Sequence, residues 1–259
     1  MSDDDSRPVT VTEDGEILVI QIDRPEARNA IDRAVAEAIR DAADRLDAAD
    51  HLRVGILTGA GGTFCSGMDL KAYLRGEVPV FPGRGLCGIT ETPPRKPLIA
   101  AVEGWALAGG FELMLACDLV VAGRGARFGL PEVKRGLVAG AGGAMLLADR
   151  VPPAVAMEIL LTGEPVDATR AAAHGLVNAV VEDGGALAEA VRLARVIAAN
   201  APLAVAASKS VARQARDWPP AERWRRHDAL LAPVFASADA VEGARAFAEK
   251  RAPVWTGHM

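Results

Sequence analysis

Two glutamates stand in glycine-framed, otherwise apolar sequence: Glu112 in Gly104-Trp105-Ala106-Leu107-Ala108-Gly109-Gly110-Phe111-Glu112, and Glu132 in Phe128-Gly129-Leu130-Pro131-Glu132. An ionisable group in such surroundings is costly unless it is paired, hydrogen-bonded or neutralised. Lost hydration pushes a carboxyl pKa upward, toward values useful for moving protons near neutrality. Glycine-rich segments entering helices add a second ingredient. Gly109-Gly110 precedes the apolar run Glu112 to Cys117, and Ser66-Gly67-Met68 precedes Asp69-Leu70-Lys71. N–H groups at a helix start have no intrahelical acceptor and, aided by the dipole, attract anions. Two such donors meeting at one oxygen would form an oxyanion hole, each contributing roughly 3–4 kcal/mol to transition-state stabilisation. Plainer readings stand beside these: the acids satisfy helix dipoles, Pro131 suits a first helical position, and the glycines permit tight turns.

Other site types are excluded by their own requirements. Gly62-Thr63-Phe64-Cys65-Ser66-Gly67 has phosphate-loop spacing, but Met68-Asp69 stands where Lys-Ser/Thr must neutralise phosphate and hold magnesium. Gly140-Ala141-Gly142-Gly143 begins like a dinucleotide fingerprint, lacks its last glycine and follows no clear strand. Phe64 replaces the first glycine that a nucleophile elbow at Ser66 would need. His51, His174, His227 and His258 are scattered without ligand spacing, so no metal is expected. His174, before Gly175, suits a helix C-terminus.

Around these residues lie 259 positions, half of them hydrophobic and 24% charged, enough for one large core with an appendage. A net charge of −5 and a pI near 5.5 argue against a nucleic-acid partner, and Arg223-Trp224-Arg225-Arg226-His227 reads as a solvated or inter-subunit helix face. Three cysteines without a CxxC pair and an acidic start point to a reducing cytoplasm. The apolar stretch from Leu98 to Gly123 is interrupted by Glu103, Glu112 and Asp118, which marks buried core rather than a membrane span.

The elements that must position the glutamates follow from periodicity. Residues before about Pro8 read as disordered. A hairpin turning at Asp14-Gly15 joins Val9–Thr12 to Ile17–Ile22, and Asp32 caps a helix to about Asp47 with Ile31, Val35, Ile39, Ala42 and Leu46 on one face. Strand patterns at 54–58, 98–102, 119–122 and 177–181 alternate with helical ones at 143–150, 153–161, 168–174 and 186–199. That alternation predicts an α/β core with parallel pairing. The stretch from Arg75 to Lys96, rich in proline and glycine, reads as a mobile loop lining a ligand site. After residue 200 only helices follow, at 203–216, 221–235 and 239–250, so residues 1–200 form the core and 201–259 a helical appendage.

Taken in order, these segments resemble the crotonase, or enoyl-CoA hydratase/isomerase, superfamily over nearly the whole chain. The resemblance is carried by Arg24-Pro25-Glu26-Ala27-Arg28-Asn29-Ala30, Thr63 to Leu70, Gly104 to Glu112, Cys117-Asp118-Leu119 and Ala126 to Glu132. It continues through Gly140 to Gly143, Leu161-Thr162-Gly163, His174 to Val177 and Phe247 to Arg251. It implies a spiral of repeated ββα units, a C-terminal helical region that builds trimers or dimers of trimers, and an acyl-CoA thioester as ligand. No separate cofactor is implied, since coenzyme A is part of the substrate. The family's oxyanion donors fall on the N–H groups of Met68 and Gly109, and its hydratase acids on Glu112 and Glu132. Ser66, Asp69, Leu70 and Gly110 flank the donors as substrate-binding candidates. Arg24, Ala27, Lys71 and, from a neighbouring subunit, Lys250 are candidates for the coenzyme A moiety. Both acids together favour hydration of a 2-enoyl-CoA to a 3-hydroxyacyl-CoA. An enoyl-CoA isomerase of the same fold and a non-catalytic acyl-CoA- or partner-binding module are the alternatives. Departures from the family pattern are Met68 for alanine, Ala108 for the first of three glycines, Glu103 for asparagine, and the poorly matching stretch 75–95, which leaves the acyl chain open.

Overall fold

Strands β1 (Val9–Asp14) and β2 (Ile17–Ile22) pair antiparallel in the computed structural model, which describes residues 7–258. Asp14 pairs with Ile17, so the turn falls on Gly15-Glu16, one position later than expected, with Gly15 at φ +61°. The disorder expected at the start falls, for residues 1–6, outside the described residues. Helix α1 (Arg33–Ala48) begins where predicted, because the Asp32 carboxylate accepts the Val35 N–H at 2.9 Å. Its face of Val35, Ile39, Ala42 and Leu46 is buried.

Strands β3 (Val54–Gly59), β6 (Leu98–Val102), β8 (Leu119–Gly123) and β11 (Ala179–Val181) continue the sheet in the order β1-β2-β3-β6-β8-β11. Every pairing after the first hairpin is parallel, as the strand–helix alternation predicts. Between β3 and β6 lie α2 (Leu70–Leu74) and the short strands β4 (Val80–Phe81) and β5 (Gly85–Leu86). Strands β7 (Trp105–Leu107), β9 (Arg127–Gly129) and β10 (Val166–Asp167), too short for periodicity to reveal, form a second, three-stranded sheet. Parallel bridges Cys65–Ala106 and Ile31–Met68 extend that layer.

The repeat is now visible. Each turn of chain lays one strand in the large sheet and one short segment in the second layer, then a helix. The sequence β6, β7, α3 (Gly109–Ala116) is one such ββα turn. Strands β8 and β9, followed by the 3-10 turn Pro131–Arg135 and α4 (Gly143–Arg150), form the next. These turns build the spiral of repeated ββα units that the resemblance implies. Helices α5 (Pro153–Thr162) and α6 (Ala168–Ala173) flank β10, and α7 (Ala186–Ala198) closes the outer face of the large sheet. Ala186, Ala190, Ala194 and Ala198 recur every fourth position, giving α7 a flat face against Ile17, Val54, Ile56, Ile99 and Val121.

The segment 75–96, expected to be a mobile loop, carries the β4–β5 hairpin and buries Phe81, Leu86, Cys87 and Ile89. The outer face of α1 holds it along its length. Arg33 donates to the Val78 carbonyl, and the guanidiniums of Arg33 and Arg40 lie over the Phe81 ring at 4.4 and 4.5 Å. Asp44 takes both Arg84 nitrogens, and Asp47 accepts the backbone N–H groups of Arg95 and Lys96.

Helices α8 (Pro202–Gln214), α9 (Arg223–Phe235) and α10 (Ala238–Glu249) complete the chain. No residue of α8 or α9 is buried. Among the described residues no single helix is long and apolar enough to cross a membrane. The link from α8 to the core is polar: Asp118 accepts Lys209 Nζ at 2.6 Å, Arg213 Nη2 at 2.8 Å and the Leu98 N–H at 2.8 Å. The Lys209 side chain is only 10% exposed, so removing Asp118 strands a buried cation. Asp118→Ala is expected to lower unfolding free energy by about 3 kcal/mol or more, with partial recovery in Asp118→Ala/Lys209→Met. Urea denaturation checks this, and a loss below about 1 kcal/mol would reduce the link to an ordinary surface pair.

Candidate active site

The stacked second layer brings the sequence-predicted donors together. A Cβ placed on Gly110 would lie 2.2 Å from the Cys65 carbonyl oxygen, so only glycine lets α3 start against the Cys65–Met68 segment. A Cβ on Gly67 would lie 3.2 Å from the Gly109 nitrogen, and one on Gly109 would lie 3.6 Å from the Met68 nitrogen. The Met68 and Gly109 N–H groups are therefore neighbours, and neither meets an acceptor among the described residues. Leu86, brought in by the β4–β5 hairpin, walls the same spot: its Cδ2 is 3.0 Å from the Cβ position of Gly109.

Glu112, in the first turn of α3, is 4% exposed. Its Oε1 accepts the N–H groups of Ala141 (2.7 Å) and Gly143 (2.9 Å), at the start of α4. Burial raises its pKa above the ordinary carboxylate value, while the Gly143 and Ala141 N–H groups oppose the rise by favouring the ionised form. Glu132 follows Pro131 in the 3-10 turn after β9, and its Oε2 is buried with no hydrogen-bond partner among the described residues. Burial raises its pKa too; its own N–H and Arg135 oppose this, and the charge of nearby Glu112 adds to it. The two carboxyls are thus close enough to feel each other and are differently supported. Glu112 holds two backbone donors that favour its charged form against the rise that burial causes. Among hydrogen-bond donors Glu132 has only its own N–H to oppose burial, and its Oε2 meets no donor among the described residues.

The remaining candidates divide. Asp69 caps α2, accepting the Lys71 and Ala72 N–H groups at 3.0 and 3.2 Å. Arg24 is committed within the chain: its nitrogens reach Asp32 (2.9 Å), the Ala30 carbonyl (2.7 Å) and Asp69 (3.2 Å), tying the caps of α1 and α2 together. That places Arg24 as a brace of the Met68 segment rather than a free cation. Ser66 donates its N–H to the Arg28 carbonyl, and Ala27 lies half-buried in the 3-10 turn Pro25–Ala27. Leu70 and Lys71 are exposed on α2. Lys250 stands at the C-terminal cap of α10, outside the elements that build this cluster. Ala141 and Gly143 were not singled out as carboxylate donors from sequence; the glycine run at 140–143 was their only signal. No three His, Cys, Asp or Glu side chains among the described residues converge as a metal site. A cleft of about 880 Å³ opens elsewhere, at the foot of α8, lined by Asp118, Arg150, Lys209 and Arg213, and neither glutamate borders it.

The sequence profile of the Enoyl-CoA hydratase/isomerase family matches residues 12–258. The crystal structure of enoyl-CoA hydratase EchA1 from Mycobacterium marinum superposes with a TM-score of 0.96 at 57% identity, covering 97% of this chain and 100% of that one. Carnitinyl-CoA dehydratase of Salmonella arizonae is 44% identical, over 98% of this chain and all of the relative. A carnitinyl-CoA hydratase from Mycobacterium avium aligns at 46% identity and a TM-score of 0.79, covering 97% and 99% of the two chains. The chain belongs to the enoyl-CoA hydratase/isomerase family and has the crotonase fold. Within that family its relatives mark it as a lyase-type enzyme.

Gly143 leaves no room beside Glu112: a Cβ there would lie 2.9 Å from Glu112 Cγ and 3.0 Å from both Oε1 and the Ala139 Cβ. Gly143→Ala is therefore expected to displace the carboxylate from its two donors and raise the Glu112 pKa further. Carboxyl-carbon NMR titration of wild type and variant reads this directly; an unmoved midpoint would show that the donors do not set it.

Proposed function

We propose that the chain is an enoyl-CoA hydratase, adding water reversibly across C2=C3 of a 2-enoyl-CoA to give a 3-hydroxyacyl-CoA. The reading rests most on the contrast between Glu112, whose Oε1 holds two backbone donors, and Glu132, whose Oε2 meets none among the described residues, together with the neighbouring Met68 and Gly109 N–H groups, which meet no acceptor there. Those amides donate to the thioester oxygen, drawing charge from C3 and stabilising the enolate that forms when water adds. Glu112, ionised through its two donors, takes the proton of that water through its other oxygen. Glu132 holds its proton until C2 becomes basic and then delivers it. Elimination runs through the same groups in reverse. A carnitinyl thioester is itself a 3-hydroxyacyl-CoA with a quaternary ammonium at C4, so the relatives' named reaction is the same chemistry on a different acyl group.

Glu112→Gln and Glu132→Gln are each expected to lower kcat by about 10²–10⁴ with modest change in KM, followed as loss of enoyl-thioester absorbance. Turnover untouched by either change would defeat the mechanism. Double-bond migration without oxygen-18 uptake from labelled water would favour an isomerase, and tight binding of every enoyl-CoA without turnover would favour a binding module. The wild-type pH profile should be bell-shaped, limited below by protonation of Glu112 and above by ionisation of Glu132. Stability has its own sign. A raised folded-state pKa stabilises the fold fully below the unfolded value and loses that contribution as pH rises through the folded one. Glu132→Gln should therefore melt higher than wild type on the alkaline side, by about 2–4 °C per kcal/mol relieved.

Residues 201–259 we assign to assembly into a trimer or a dimer of trimers, which would carry Lys250 to a neighbour's coenzyme A. Supporting this, Trp224, Phe235 and Phe247 are 76%, 75% and 87% exposed on α9 and α10. Sedimentation equilibrium should give at least three chains; a monomer at micromolar concentration would refute the assignment.

A further inference from the structure

Ala108 has φ 49° and ψ −126°, a backbone conformation that residues with a side chain rarely adopt. Relaxation there is blocked by ties to three separate segments. Its N–H donates to the Gly129 carbonyl at 2.9 Å, on the strand that leads into Glu132. Its carbonyl accepts the Glu112 N–H at 3.0 Å, at the start of α3. Its methyl group lies against Gly67: a Cβ added there would be 2.8 Å from the Ala108 Cβ and 3.2 Å from the Gly109 nitrogen. Gly67 itself is at φ +99° and is buried. One small residue thus touches the segments bearing Met68, Glu112 and Glu132, and immediately precedes Gly109.

From this contact, we propose that the Ala108 methyl group is a positioning group that sets the spacing between the Met68 and Gly109 amides. Glycine at 108 would remove the backbone strain and also the methyl group wedged between Gly67 and the start of α3. The inference rests on the oxyanion reading of those amides and adds a residue to it. An oxyanion site works through donors fixed before charge develops, so looseness between them lowers turnover more than binding.

The variants are Ala108→Gly, which deletes the spacer, and Ala108→Ser, which keeps a Cβ. For Ala108→Gly the melting temperature should be unchanged or higher, kcat should fall about 10-fold or more, and KM should change less than about 2-fold, given that full loss of one donor costs about 10²–10³. The red shift of a bound chromophoric arylacryloyl-CoA, which reports polarisation of the thioester carbonyl, should shrink in Ala108→Gly and be retained in Ala108→Ser. Amide hydrogen exchange of Met68 and Gly109 in the free proteins should quicken in Ala108→Gly alone. If the wild type turns over and Ala108→Gly matches it in kcat, red shift and exchange, the spacer is refuted while the hydratase reading stands. If the wild type turns over no enoyl-CoA, the hydratase reading fails, and the exchange comparison still decides whether the methyl group spaces the loops.

Discussion

Parallel register is the constraint on which the rest of the structure depends. Strands β3, β6 and β8 run the same way with their ends aligned, Thr58 beside Ala101 and Val102 beside Ala122. Each strand must therefore release its chain at the same edge of the sheet. The short segments that follow stack in turn, through Cys65 on Ala106 and Ala106 on Phe128. Residues tens of positions apart in sequence become neighbours without any long side chain having to reach. Close stacking in turn dictates composition: at Gly110 the backbone of one turn occupies the space a side chain would need.

Within that frame the two acids differ in depth and in what surrounds them: Glu112 is buried and Glu132 is half-buried. Burial acts on both in one direction. Two backbone donors from the start of α4 then favour charge on Glu112, and the absence of any partner at Glu132 Oε2 favours a proton there. A pair of like residues thus acquires unlike surroundings from main-chain geometry. The arrangement also couples the acids mechanically, since the loop between Glu132 and α4 ends on the carboxylate of Glu112.

Much of this was legible in the residues. Helix α1 followed from its cap and its apolar period, and the parallel strands from runs such as Leu98–Val102. The candidate acids followed from charge placed in apolar surroundings. Strands β7, β9 and β10 were not legible, because two or three residues carry no alternation. The hairpin within segment 75–96 was hidden for another reason. What holds it is a set of polar contacts from Arg33, Arg40, Asp44 and Asp47, residues that on a single helix look like a solvent face. The partners of Arg24 were not legible either, since its carboxylates are 8 and 45 positions away, at Asp32 and Asp69. The donors to Glu112 were hidden because a backbone amide has no residue signature.

The splint that α1 lays along residues 75–96 has a consequence for selectivity. Leu86, which hangs from that splinted hairpin, closes one side of the space beside Gly109, where we propose the thioester sits. A rigid partition sorts guests by outline, rejecting a methyl branch it could accommodate only by yielding. Under that proposal, selection among acyl groups would be set partly from the outer face of α1, by the aromatic clasp at Phe81 and the carboxylate fork at Asp44.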